Sequence, residues 1–598
     1  MDIKRIFDLV DNYNKKYSKD KLFGAKENGK WVTYSTDDYR DISNSVSYSL
    51  LELGIKKGDK IATVSNNRPQ WNFVDMGTSQ IGAVHVPIYP TISDEEYEHI
   101  LNNSDVKIIF VSSNILYKRI KPIADKIDGV MAVYTFDKVE NAKYWGDFLE
   151  LSKDKEDADN LQKIKNSITP DDVATLIYTS GTTGLSKGVE LTHNNFISNI
   201  SGVIDRINVV NTDIALSFLP LCHVYERMVG YTYQYQGLSI YYAENMATIA
   251  NDLKRHKINI FTTVPRLLET VYEKIITKGK DLDGVKKKLF FWAVELAKNY
   301  DFENQSAIYK LKLKIADKLI FSKWRDALGG RIKLIVSGGA ALQPQLATIF
   351  YAAKIMVSEG YGLTETSPVI SFNDVTKKDS FMIGSVGPII ENTELKIAED
   401  GELLVKGPGV MKGYYKNPEE TAAVIKDGWF HTGDVGEIVN GKFLKITDRK
   451  KEIFKNSAGK YIAPQVIENK FKESFLIQQI MVVGDGEKFA SALISPNFNY
   501  LHYWATKHKI HFRDNKELIQ NEAVLKKIDS EINNINKDLA AHENLKRFRL
   551  VCEEWTPQSG ELSPTLKKKR RVLYSKYDHI LREIYQYAEG EEDRGIKK

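Results

Sequence analysis

Eleven residues, Tyr178 to Gly188 (YTSGTTGLSKG), hold three glycines, five Ser/Thr hydroxyls and one lysine. Glycines let backbone N–H groups turn inward, hydroxyls add short donors, and a lysine brings a mobile positive charge, so this composition suits a polyphosphate. Thr179, Ser180, Gly181, Thr182, Thr183, Gly184 and Lys187 are the candidate contacts. The segment is not a Walker loop, because Lys187 follows Gly184 by three residues and precedes Gly188 rather than Ser or Thr. Downstream, YGLTETSP (Tyr361 to Pro368) places Thr364 and Glu365 in a tight turn. A single hard carboxylate suits Mg²⁺, which takes most of its ligands from phosphates and water. Thr364 beside it can donate to a phosphate oxygen. A plain Gly/Ser/Thr turn is the structural alternative for each segment taken alone.

Neither segment stands alone. SGGAAL (Ser337 to Leu342), DGWFHTGD (Asp427 to Asp434), DRKKEIFKNSAGKYIAP (Asp448 to Pro464) and GELSPTLKKKRR (Gly560 to Arg571) complete the set. In this order the six motifs resemble the adenylate-forming superfamily of acyl-CoA synthetases, luciferases and peptide-synthetase adenylation domains. SFLPLCHVYER (Ser217 to Arg227), TTVPRLLETVYEK (Thr262 to Lys274) and LSPTLKKKRR resemble its long-chain fatty-acyl-CoA synthetase branch. The resemblance runs from about Trp31 to Tyr574. It implies ATP-dependent ligation of a fatty acid to CoA through an acyl-adenylate, with Mg²⁺ as metal. An adenylate-forming ligase that serves a carrier protein, or takes a shorter or aromatic acid, is the alternative.

The same resemblance implies residue roles. Gly338, Gly339 and Tyr361, with Gly362 next to it, match the adenine slot; Asp434 and Arg449 match the ribose-binding pair; Thr364 and Glu365 match the phosphate and metal contacts. His223 falls beside the substrate carboxylate. Glu226 either joins that site or partners Arg227 or a lysine. Lys567, with Arg570 three residues on, matches the adenylation lysine, although three consecutive lysines leave Lys568 and Lys569 open. Lys451 falls at the hinge, and Gly459 in the loop of the CoA step. Two positions depart from the pattern: Leu566, where many relatives have Gly, and Ser186, where relatives usually have Pro. The second should loosen the phosphate loop.

Such residues must be held by an α/β scaffold. Short apolar runs at 61–64, 83–88, 106–112, 174–178, 334–336 and 356–358 predict buried strands, interleaved with helices such as 41–53, the pattern of mainly parallel sheets. From Asn392 the texture turns to short strands and Gly turns, a β-rich subdomain over about 385–450. The expected domains are 1–450, binding AMP, and 451–598, small, mobile and α+β. The Lys-rich stretch 270–328 reads as helical. From Ile308 to Leu328, Leu311, Ile315, Leu319 and Phe321 lie among five lysines, either an amphipathic membrane-contacting helix or, as favoured here, a helix packed on its own domain.

A chain of 598 residues with 42% hydrophobic and 27% charged residues suits two or three globular domains. Its net charge of +5 fits anionic ligands or a membrane surface and is too small to argue for nucleic acid. Two cysteines, Cys222 and Cys552, make no disulfide framework, and a reducing, cytoplasmic setting fits. The N-terminus lacks the apolar run of a secretion signal, and no run approaches the roughly 18 residues of a membrane span. Peripheral contact with a membrane's inner face is the expected limit, and monomer and homodimer both suit the sequence.

Overall fold

The computed structural model describes residues 2–179, 186–303, 305–556, 559–563 and 566–585. The chain forms two compact units. One comprises Met1–Lys396, Leu404–Thr432 and Asn440–Leu444; the other comprises Ile397–Leu403, Gly433–Val439 and Lys445–Lys598. The expected boundary at 450/451 falls just after the strand Phe443–Arg449, whose residues from Lys445 on belong to the second unit.

Among the described residues, the first unit builds two eight-stranded sheets. One runs in the order Val369–Asn373, Val357–Gly362, Leu334–Ser337, Ile260–Thr263, Ile214–Ser217, Ser239–Tyr242, Phe23–Glu27, Lys30–Tyr34. All its inner pairings are parallel, and only the two edge strands run antiparallel. The other sheet centres on Val173–Thr179, Val84–Ile88, Lys60–Val64 and Val106–Val111, again parallel, with Lys187–Thr192 antiparallel at one side. Strands buried on both faces read as apolar runs rather than alternations, as VKIIFV at Val106–Val111 does. The mainly parallel α/β architecture expected from the sequence is what is observed.

Capping fixes several helix starts. Ser35 accepts from Asp38 N while Asp38 accepts from Ser35 N, so the helix begins at Thr36 and runs to Glu52, five residues earlier than expected at its start. The first helix begins at Asp8; Ile3, Ile6 and Phe7 precede it and are buried in the core. The long helical stretch is broken into Pro265–Lys280, Gly284–Lys298, Ala307–Ala316, a wide π turn at Asp317–Phe321 and Ser322–Ala327.

The second unit contains a three-stranded sheet, Ile477–Val483 antiparallel to Ser491–Pro496, which pairs in parallel with Arg547–Leu550. Its core gathers Ile467, Phe471, Ile480, Ile494, Leu501 and Ile528 under the helices Pro464–Phe471, Phe498–Lys507 and Glu522–Asn536. A satellite cluster of Trp555, Leu562, Leu573 and Tyr577 packs beneath the lysine-rich loop.

Candidate active site

In the first unit, the glycine-rich segment closes a hairpin. Thr179 ends one strand, Lys187 begins the next, and the two stand opposite one another. Ser180, Gly181, Thr182, Thr183 and Gly184, expected to line a phosphate, lie outside the described residues. Ser186 is buried and its carbonyl faces His99 Nε2 at 2.8 Å, so one backbone group beside the departure from Pro is tied to a helix.

Lys187 does not project into solvent; its side chain is only 14% exposed. Its ammonium pairs with Glu420 and lies 5.4 Å from the centroid of the Tyr414 ring. Tyr414 Oη in turn donates to Glu365 Oε1 at 2.8 Å. Burial, then the adjoining Glu365 carboxylate, pushes the Tyr414 hydroxyl well above its ordinary range, so it remains a donor. Lys187 and Glu365, far apart in sequence, are thus joined through Tyr414. Sequence reasoning missed Tyr414 and Glu420: GYYKNPEE has no phosphate-like composition, and only the sheet pairing of Gly413–Tyr414 with Val189–Glu190 brings it here.

Thr364 and Glu365 sit in a single 3-10 turn after the strand Val357–Gly362. The turn is pinned from below. Asn199 donates to the Thr366 carbonyl at 3.1 Å and accepts from Val369 N at 2.6 Å. Met411 N donates to the Glu365 carbonyl at 2.8 Å. At Gly362 an added Cβ would lie 1.6 Å from the Pro368 carbonyl oxygen, so the glycine expected to adjoin the nucleotide has a folding reason of its own.

Gly338 and Gly339 follow the strand Leu334–Ser337, and Tyr361 lies in the neighbouring strand, so all three occupy the carboxyl ends of parallel strands, where ligand crevices open in such sheets. Gly339 has φ +81°, which favours glycine. A Cβ at Gly338 would stand 3.1 Å from the Tyr225 ring, whose hydroxyl donates to the Val336 carbonyl at 2.9 Å. The ring that Gly338 admits here is therefore that of Tyr225. His223 caps the same helix, Val224–Tyr235, with Nδ1 accepting from Tyr225 N at 3.2 Å.

Glu226 is buried on that helix and accepts from Thr262 Oγ1. Burial pushes its carboxyl up to about 7, against the hydrogen bonds of Ser217 and Thr262. It is not the partner of Arg227, the alternative weighed from the sequence. Arg227, fully buried, bonds Asp75, Thr175 and Tyr231, and Asp75 also meets His85 at 2.9 Å. Asp75 ends within reach of three donors, which is why the guanidinium turns away from Glu226. Glu359, in register with Ser337, is also buried, and burial pushes it up to about 8.

In the second unit Asp434 and Arg449 meet as a 3.2 Å ion pair on adjacent strands, Arg449 half-exposed and Asp434 buried. Asp448 is buried and accepts from Arg449 N at 2.6 Å and Gln465 N at 3.2 Å; burial raises its carboxyl to about 6. Lys451 is exposed in the turn after Arg449, while Lys450 pairs with Asp400 and, at 2.8 Å, with Glu402. Gly459 has φ +74° with open space where a Cβ would stand, so a left-handed turn alone accounts for glycine there.

The three lysines separate cleanly. Lys568 is drawn inward, its ammonium bound to Glu468 and, at 2.8 Å, to the Ile480 carbonyl. Burial pulls it down to about 7, with Glu468 opposing. Arg570 joins the same carboxylate at 2.7 Å and Glu452 at 2.8 Å. Burial disfavours charge on Glu468, but Arg570 and Lys568 outweigh it and hold the carboxyl below its ordinary value. Lys569 leads into the helix Arg570–Lys576, its N–H given to the Glu561 carbonyl at 2.8 Å. Lys567 keeps an exposed side chain while its backbone is fixed: its N–H donates to Ser563 Oγ at 3.0 Å, and its carbonyl accepts from Ser563 N at 2.7 Å.

Residues 11–415 match the AMP-binding enzyme family and residues 452–589 its C-terminal domain. A peroxisomal long-chain acyl-CoA synthetase (number 6) of Arabidopsis thaliana is 32% identical, over 93% of this chain and 82% of its own. A long-chain-fatty-acid–CoA ligase of Mycobacterium bovis is 31% identical, over 93% of both. Among solved structures, the adenylation domain of a carboxylate reductase from Mycobacterium chelonae aligns with TM-score 0.73 at 20% identity, over 98% of this chain and 91% of its own. An anthranilate CoA ligase holding anthranoyl-AMP aligns with TM-score 0.69 at 17% identity, over 96% and 97%. These two share the fold.

Proposed function

The chain belongs to the AMP-binding enzyme family, and from that premise we propose that it is an ATP-dependent long-chain fatty acid–CoA ligase. The fatty acid carboxylate attacks the α-phosphate of ATP, giving acyl-AMP and pyrophosphate; the CoA thiol then displaces AMP, giving the thioester. The observation that carries the reading is the chain Lys187–Tyr414–Glu365, a cation and a hard carboxylate joined where the strand Lys187–Thr192 begins opposite Thr179. The sequence likeness to long-chain ligases, which covers nearly the whole chain, supports the acid and the acceptor.

In this reading Lys187 exchanges Glu420 for the triphosphate, a stronger anion, and Thr179 with the loop hydroxyls completes the cradle. Thr364 donates to a phosphate oxygen. Glu365 is the Mg²⁺ ligand: its carboxylate is aimed by the Tyr414 hydroxyl and retains the lone pairs a hard cation needs. Bound Mg²⁺ would neutralise phosphate charge during transfer. Asp434 accepts from the ribose hydroxyls, with Arg449 as fixed donor. Gly338, Gly339 and Tyr361 frame the adenine, and His223 orients the fatty acid carboxylate. Lys567 supplies the cation between two anionic reactants, since Lys568 and Arg570 are already bound to Glu468. Lys451 is the hinge by which the 451–598 domain brings Lys567 in and later presents the Gly459 loop to CoA.

The test is ATP–pyrophosphate exchange, followed by CoA thioester formation, with acids from acetate to long-chain and aromatic ones. Exchange driven by long-chain acids, and a thioester only when CoA is added, is expected. No AMP or pyrophosphate release with any acid would overturn the reading; exchange with no CoA thioester would point to a carrier-protein acceptor.

A further inference from the structure

The helix Ala307–Ala316 and the turns after it pack their inner face on their own domain. Ala316, Ile320, Phe321 and Trp324 are buried, Tyr309 Oη donates to the Leu296 carbonyl at 2.7 Å, and Arg325 holds Asp317 at 2.6 Å. The outer face is not packed. Ile308, Leu311, Ile315 and Leu319 are 69, 60, 44 and 41% exposed. Their spacing of three, four and four residues aligns them in one stripe along the helix. Four large aliphatic side chains in a row differ from scattered surface leucines, and such a patch marks an interaction surface.

The charges beside the stripe indicate its partner. Lys312 stands within the stripe's edge, and Lys314 and Lys318 stand along its flank, all three exposed. From Ala307 to Ala327 the only acids are Asp317 and Asp326. Asp317 is already paired with Arg325 and, at 2.7 Å, with Lys354. The outward field is therefore cationic around an apolar strip, which is the arrangement of a helix lying in a membrane interface, apolar side chains in the acyl boundary and ammonium groups among anionic headgroups. A second copy of this chain would bring the same lysines against themselves. No helix among the described residues is long and apolar enough to cross a membrane, so contact of this kind would be in the plane of the surface.

We propose that the face formed by Ile308, Leu311, Ile315 and Leu319, bordered by Lys312, Lys314 and Lys318, docks this protein on anionic lipid bilayers. The proposal goes beyond the catalytic reading and rests on none of the residues assigned to it.

Flotation of the full-length chain with phosphatidylcholine vesicles, with and without phosphatidylglycerol, tests it. The chain is expected to float with the anionic vesicles, less so as salt rises, because surface attraction is screened. Replacing Lys312, Lys314 and Lys318 by Gln should lower partitioning by about 100-fold, about fivefold for each charge removed. Leu311→Gln, Ile315→Gln and Leu319→Gln together should abolish the binding that survives high salt. Unchanged thermal unfolding and unchanged AMP release from a water-soluble acid would show both variants folded. Flotation equal to wild type in both variants, or no flotation of the wild type, overturns the proposal. So does a wild-type dimer that the apolar variant dissociates while lipid binding stays constant, which would make this face an interface between copies.

Discussion

At Gly362 an added Cβ would stand 1.6 Å from the Pro368 carbonyl oxygen, whereas at Leu566 a whole side chain is carried with φ at +62°. The first turn presents Glu365, the second presents Lys567, and they meet the backbone problem in opposite ways. Gly362 is required by contact, because two stretches of backbone touch where its side chain would be. Leu566 sits where glycine would be at ease and pays a conformational cost instead. The second turn holds its shape without glycine because it is tied at both ends, by Ser563 on one side and by the Glu468 ion pairs of Lys568 and Arg570 on the other. The partly buried Leu566 also packs against the cluster of Trp555, Leu562 and Leu573. The Glu365 carboxylate is thus placed by close packing, and Lys567 is placed by anchoring its neighbours while its own side chain stays exposed.

The comparison breaks most visibly at its tighter end. Gly362→Ala forces apart two backbone segments that hydrogen bonds to Asn199 and Met411 hold together, so a loss of more than about 4 kcal/mol is expected. Chemical denaturation measures it. A loss under about 1 kcal/mol would mean that the turn is looser than its contacts imply.

At the other turn the expected loss is in rate. Lys567→Ala should slow acyl-AMP formation by the roughly 3–4 kcal/mol that one preorganised charge contributes, leave thermal stability near wild type, and still convert preformed acyl-AMP with CoA. Lys568→Ala should do the reverse, destabilising by about 3 kcal/mol because Glu468 loses a buried partner. Pyrophosphate exchange and unfolding, measured on both variants, separate the two roles. Equal rate losses would mean the three lysines share one function.

This division of labour among the lysines was not legible in the sequence. KKKRR gives three identical residues in a row, and what distinguishes them is Glu468, a hundred positions away, buried on another helix. The parallel strands were legible, since burial on both faces leaves apolar runs that need no partner to be recognised. The tight turn at Thr364 and Glu365 was legible too, carried by a local motif. Tyr414 and Glu420 escaped because their role depends on a sheet edge meeting the hairpin, and Arg227 because Asp75 claims it from 152 residues away. The breaks after Lys280 and Lys298 fall at DLD and NYDFENQS, which hold no lysine, but the lysine-rich segments on either side make the stretch read as one helix.

How dry the tightly packed region is sharpens the comparison further. Glu226 is buried against Thr262 of the strand Ile260–Thr263, and burial pushes its carboxyl up to about 7, against an ordinary 4.5. A raised carboxyl favours the protonated folded state, so its contribution to stability is fully present below pH 4.5, is lost as pH rises towards 7, and is level beyond. Glu226→Gln removes that dependence: it should match wild type near pH 4.5 and exceed it by up to about 3 kcal/mol above pH 7. Parallel stability curves for the two proteins between these limits would show that water reaches Glu226.

The smallest effect is the most discriminating for the second turn. Leu566→Ala removes partly buried packing yet keeps a Cβ in the left-handed region, so it bears both costs. Leu566→Gly removes the same packing but relieves about 1–2 kcal/mol of backbone strain, offset in part by the greater freedom of glycine in the unfolded chain. Glycine should therefore be the more stable of the two by about 1 kcal/mol, although it is the smaller residue. Denaturant midpoints at equal slopes give this difference directly. If alanine proves the more stable, φ at 566 is not held in the left-handed region, and the anchors at Ser563 and Glu468 do not impose the turn that presents Lys567.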